Sequence, residues 1–122
     1  MGYARTTIIR VGTVPMIVEI ADTPLLIECG LGGRCALDDG TGMLFVYPSD
    51  DRWGLWMKDM HFAVDMIWID SSGIAVTILK RVAPASFPQI FYATRPARYA
   101  LEVPAGFVEA HSMAEGMSVV IR

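Results

Sequence analysis

The chain is poor in the features that mark specialised protein classes. Its 122 residues include two cysteines and two histidines. Cys29 and Cys35 are too few for a disulfide framework, and small buried free thiols are the expected state. With His61 and His111 they show no ligand spacing, so neither a metal site nor a cofactor is expected. Lys and Arg nowhere cluster and the net charge is −3, which removes the basic footprint that nucleic acid requires. Every apolar run is broken by a charge before the ~18 residues of a membrane span. The start, "MGYARTTIIRVG", lacks the charged, apolar and small-residue regions of a secretory leader. The chain therefore reads as cytoplasmic; a periplasmic or secreted chain with its leader removed would read the same. Gly2 with Thr6 matches a myristoylation pattern, which is too short and common to carry weight. Neither Gly-x-Ser-x-Gly nor a phosphate loop occurs, and "GLGG" matches too little of a dinucleotide fingerprint.

Core-forming residues, by contrast, are abundant. Hydrophobic residues make up 53% and charged residues 19%, a composition that excludes disorder. The length suits one domain over residues 1–122, large enough to bury its own core. Short β-type runs recur along it. "TTIIRV" and "PMIVEIA" flank a Gly-Thr turn and predict a hairpin. "MLFVY" follows the turn signal "DDGTG", and "IAVTILKRV" follows "DSSG". "GLWMK", "VDMIWID", "ARYALEV" and "MSVVIR" complete the set. Strands at this spacing predict a mainly β, antiparallel sandwich or barrel with one or two short helices. One helix is expected in "ADTPLLIECGLGG", with Asp22 or Thr23 as cap, Pro24 in the first turn and glycines at the end. The other lies in "AGFVEAHSMAEG". "APASFPQ" is too rich in proline for a central strand and reads as an ordered loop.

Three segments in order carry a family resemblance over nearly the whole chain: "GLGGRCALDDGTGMLFVY", "LWMKDMHFAVDMIWID" and "YALEVPAGFVEAHSMAEGMSV". Together they resemble the bacterial and archaeal family called domain of unknown function 192. The resemblance implies a compact β-rich, jelly-roll-like fold and no particular activity. One departure is Ala63, where the family usually has proline ahead of the strand aspartate; its backbone is less restricted.

The candidate site follows from charges set in apolar surroundings. Lys58, Asp59 and Asp65 interrupt "GLWMKDMHFAVDMIWID". Asp59 reads as an outward or turn residue. Trp56 and Lys58 share a strand face, and a turn after Met60 would let Lys58 meet Asp65 on a neighbouring strand. Asp65, among Phe62, Val64, Met66, Ile67 and Trp68, needs a partner, backbone donors or a wet cleft. Glu102 sits between Leu101 and Val103; strand alternation points it either outwards or into the same cleft. Arg34 is the cation best suited to grip a carboxylate, at Asp38, Asp39 or in the cleft. Trp68 is expected in the core, and Trp53 in an exposed turn.

Trp56, Lys58, Asp65, Glu102 and Arg34 are thus the candidate ligand-binding residues, without an assigned catalytic role. Three functions remain open: a domain binding a small molecule or sugar in a polar cleft; a hydrolase using Asp65 and Glu102 as a carboxylate pair; and a protein-interaction module whose buried charges are structural.

Overall fold

The computed structural model describes residues 5–121, so the pattern at Gly2 lies outside them. The expected hairpin forms from β1 (Thr6–Val11) and β2 (Val14–Ala21). Its two-residue turn places Gly12 at φ 61, a conformation that glycine adopts without a Cβ penalty.

Helix α1 spans Pro24–Cys29. Thr23 Oγ1 accepts the Leu26 N–H at 3.2 Å, Pro24 opens the first turn, and Gly30 at φ 49 ends the helix. These are the cap, proline and glycine signals read in the sequence. No residue of α1 is buried. A helix this short is not stable alone; its caps and the half-buried Ile27 hold it to the core.

The remaining elements are β3 (Thr41–Asp51), β4 (Gly54–Trp56), β5 (Val64–Ile69), β6 (Ala75–Val82), β7 (Ile90–Tyr92), β8 (Ala97–Pro104), α2 (Phe107–Ala110) and β9 (Val119–Val120). Seven strands form one curled sheet, a half-barrel, in the order β6-β5-β8-β3-β2-β1-β9; β4 and β7 form a small second sheet. The pairing of β2 with β3 is parallel, in a sheet otherwise antiparallel. A parallel pair needs a crossover rather than a tight turn. Residues 22–40, which contain α1 and the glycine-rich run, are that crossover.

The two faces of the sheet carry separate cores. One gathers Ile9, Val11, Met16, Val18, Leu44, Ile67, Leu101 and Val119 with side chains from every strand of the large sheet, as only the concave side of a curl allows. Phe107 and Val108 of α2 plug it. The other core lies on the convex face, where Met43, Phe45, Met66, Trp68 and Ala100 are covered by Leu31, Leu55, Met57 and Met60. Residues 116–120 join the ends of the curl. The Gly12 N–H donates to Ser118 O, the Ala75 N–H to Met117 O and the Val119 N–H to Gly73 O, while β9 pairs with β1.

The mainly β expectation holds, with several local differences. "GLWMK" is a strand only as far as Trp56, and "MSVVIR" contributes only β9. The proline-rich loop holds a 3₁₀ turn at Pro84–Ser86, and β7 just after it was not anticipated. Cys29 and Cys35 are free but exposed, against the buried state expected for them. Trp68 is fully buried as expected. Trp53 is half-buried rather than exposed: its ring stacks on Tyr47 at 4.6 Å, and its Nε1–H donates to Ser49 O at 2.9 Å. Among the described residues, no helix is long and apolar enough to cross a membrane.

Candidate functional site

Strand β8 runs between β5 and β3, and a core packs on each side of the sheet there, so residues 100–103 are buried on both faces. Glu102 lies opposite Met43 on β3 and Met66 on β5. It shares their convex face with Ala100 and is 3% exposed. The expectation that alternation might point Glu102 outwards fails for this reason. Burial, with no compensating donor among the described residues, pushes its carboxyl from 4.5 up to about 8. Glu102 is therefore a neutral acid at neutral pH.

Above it lies a cavity of about 170 Å³ that opens to solvent. Glu102 and Phe45 form the floor, Ile27 and Cys29 of α1 one wall, and Leu55 and Trp56 of β4 the other, with Lys58 alongside. The crossover glycines set this geometry. A Cβ on Gly32 would stand 3.0 Å from Cys29 O and 3.3 Å from Lys58 O. The Gly33 N–H donates to Asp59 O at 2.8 Å. Glycine here lets the end of α1 press against the turn at Lys58–Asp59, where Asp59 adopts φ 59. The "GLGG" and "WMKD" segments thus meet in space and build the cavity together.

Lys58 is exposed, and its Nζ lies 5.6 Å from the centroid of the Trp56 ring, a cation–π distance. Phe87 tilts against the same indole at 5.2 Å. The expected pairing of Lys58 with Asp65 does not form, because β4 pairs with β7 and not with β5.

Asp65 lies outside the cavity lining, on the concave side. It is wholly buried. The Arg81 N–H donates to its Oδ1 and the Val108 N–H to its Oδ2, each at 2.8 Å. One carboxylate thereby fixes the turn of β6 at Arg81, where φ is 52, and the first turn of α2. Arg34 is also elsewhere: it grips Glu19 of β2 with both guanidinium nitrogens, leaving Asp38 and Asp39. Of the five candidate residues, the fold brings together Trp56, Lys58 and Glu102 and separates Asp65 and Arg34.

Tyr47 was not singled out in the sequence. Its hydroxyl is buried without a hydrogen-bond partner among the described residues, and burial together with the charge of Glu102 pushes its pKa up. Its position three residues after Leu44, in a run buried on both faces, is the signal that could have flagged it. Among the described residues, no cluster of His, Cys, Asp or Glu could hold a metal ion.

A family model, domain of unknown function 192, described as Uncharacterized ACR, matches residues 7–121. No curated protein matches the chain. Solved structures similar to it include the following two. One, from Sinorhizobium meliloti 1021 and provisionally labelled a transcription regulator, has a TM-score of 0.92 at 28% identity and covers 98% of this chain and 95% of that one. The other, a protein of unknown function from Novosphingobium aromaticivorans DSM 12444, has a TM-score of 0.88 at 23% identity, covering 95% of this chain and 85% of that one. The second likeness is one of fold alone.

Proposed function

The chain belongs to the domain of unknown function 192 family, and we propose that it is a small-ligand-binding domain whose site is the cavity between α1 and β4. The observation that carries this reading is Glu102: buried, without a donor among the described residues, and facing an open cavity. Burying a carboxyl without a hydrogen-bond partner costs several kcal/mol or forces it to keep its proton. Perturbed groups in clefts concentrate at functional sites for this reason.

Size limits the ligand. A cavity of about 170 Å³ is close to the ~150 Å³ that accommodates benzene and below the ~300 Å³ at which drug-sized sites begin. One compact group fits. A sugar ring is a poorer match, because Ile27, Leu31, Phe45, Leu55 and Met60 line much of the cavity and offer its hydroxyls no hydrogen-bond partners. Hydrolysis by paired carboxylates is disfavoured, since Asp65 and Glu102 project from opposite faces of the sheet and cannot flank one bond. The label of the Sinorhizobium relative would suggest nucleic acid; a net charge of −3 without a basic cluster argues against that here.

A fragment screen by NMR tests the reading. Binding fragments should shift the Trp56 indole and the Gly30 and Gly32 amides. Ile27→Trp, which fills the cavity from a half-buried helix position, should abolish those shifts. Shifts that survive the filling, or a screen without hits, would rule the cavity out.

A further inference from the structure

Resting on the reading of this cavity as a ligand site, we propose that it takes a small organic ammonium ion, its cation against Glu102 and its apolar body between Ile27, Phe45 and Leu55. The charges around Glu102 favour a cation. From α1 come Glu28 and Cys29, and Lys58 comes from the turn after β4. Tyr47 on β3 feels the charge of Glu102, while the cross-strand neighbours of Glu102, Met43 and Met66, carry none. Among the described residues, Lys58 is the one basic side chain in the lining, and its ammonium is engaged with the Trp56 ring. Among the described residues, no ion pair involves Glu102. An anionic ligand would meet the acidic side chain of Glu28 and find at most one hydrogen-bond donor in protonated Glu102, whereas a cation supplies the ion-pair partner that Glu102 lacks. The Trp56 face, already occupied by an ammonium, shows that the rim also accommodates positive charge.

The binding step releases a proton. The ammonium ion binds the ionised form of Glu102, so the carboxyl gives its proton to solvent as the ion pair forms. No bond to carbon changes. With the free carboxyl near 8, affinity below that pH should rise roughly tenfold per pH unit. The sign is opposite for a ligand that accepts a hydrogen bond from the neutral acid: its affinity falls as Glu102 ionises.

Calorimetry with three probes of one shape, benzylamine, benzyl alcohol and benzoate, tests this between pH 6 and 7.5 in buffers of different ionisation heat. Benzylamine should bind at least tenfold more tightly than either analogue, with affinity rising with pH and close to one proton released per ligand. Glu102→Gln should weaken benzylamine at least tenfold and remove both the pH dependence and the proton release. Preferential binding of benzyl alcohol or benzoate, a flat or falling profile, or undiminished binding to Glu102→Gln would overturn the ammonium assignment while leaving the cavity a ligand site. Silence of all three probes alongside fragment hits would overturn the assignment alone. Silence alongside an empty fragment screen would remove both readings.

Discussion

Asp65 and Glu102 stand one register step apart on hydrogen-bonded neighbouring strands, and their carboxyls project to opposite faces of the sheet. Asp65 lies opposite Val103 and belongs to the concave side; Glu102 lies opposite Met66 and belongs to the convex side. Two backbone N–H groups satisfy Asp65. Among the described residues, no comparable donor compensates the burial of Glu102. Two buried acids on adjacent strands are thus put to different uses, one joining elements of the fold and the other forming a cavity floor.

Asp65→Asn should destabilise the protein. Asparagine keeps one acceptor oxygen but turns an NH2 group towards the second backbone donor. A lost buried hydrogen bond of this kind costs about 1–3 kcal/mol. The urea midpoint should fall with an unchanged m-value, and an unshifted midpoint would refute the joining role of Asp65.

Glu102 should make stability fall as pH rises. Its carboxyl titrates near 8 in the folded protein against an ordinary 4.5, so between these values the unfolded chain holds fewer protons than the native one. Stability contributed by the proton is complete below about 4.5 and is lost as pH passes through about 8. The loss is on the order of a few kcal/mol. Glu102→Gln removes this component, so its stability relative to the parent should grow from pH 5 to pH 8. A difference independent of pH would contradict the assignment.

Thr23→Ala should loosen α1 without unfolding the domain. Loss of a helix cap costs about 0.5–2 kcal/mol where the helix is integral to the fold. Here no helical residue is buried, so the effect should stay local. Hydrogen exchange should quicken at Ile27 and Gly30, whose N–H groups donate to Thr23 O and Leu26 O, while the thermal midpoint moves little. A large drop in the midpoint would show that α1 is integral to the core.

Cys29 and Cys35 should both react with a thiol reagent in the native protein, since both are exposed. Only Cys29 lines the cavity. A cavity ligand should slow labelling of Cys29 and leave Cys35 as an internal control. Equal protection of the two would place the ligand elsewhere.

The strands were legible where one alternating pattern met one strong turn, as in the β1–β2 hairpin around Gly12. Helix α1 was legible because Thr23, Pro24 and Gly30 act through local backbone chemistry. What could not be read depended on long-range pairing. Strand β7 is three residues long, and it pairs with β4 across an interval that no local signal spans. The direction of Glu102 was hidden for a related reason. Alternation distinguishes inside from outside only when one face is wet, and residues 100–103 of β8 are all buried. The signal available was the apolar sequence around it, "YALEV", which marks a strand covered on both sides. Arg34 showed the converse limit: its bidentate chemistry was anticipated, but Glu19 became its partner through the parallel crossover.

The stitch formed by residues 116–120 also bears on how the chain reaches this state. Residues 10–12 and 73–75 both hydrogen-bond to it, so the curl cannot be completed until almost the whole described chain is available. A nascent chain still lacking that segment carries two unpaired strand borders, a template for pairing with other chains. Synthesis order therefore leaves the growing polypeptide most exposed to misassociation just before the segment emerges, and protection by a chaperone would matter most in that interval.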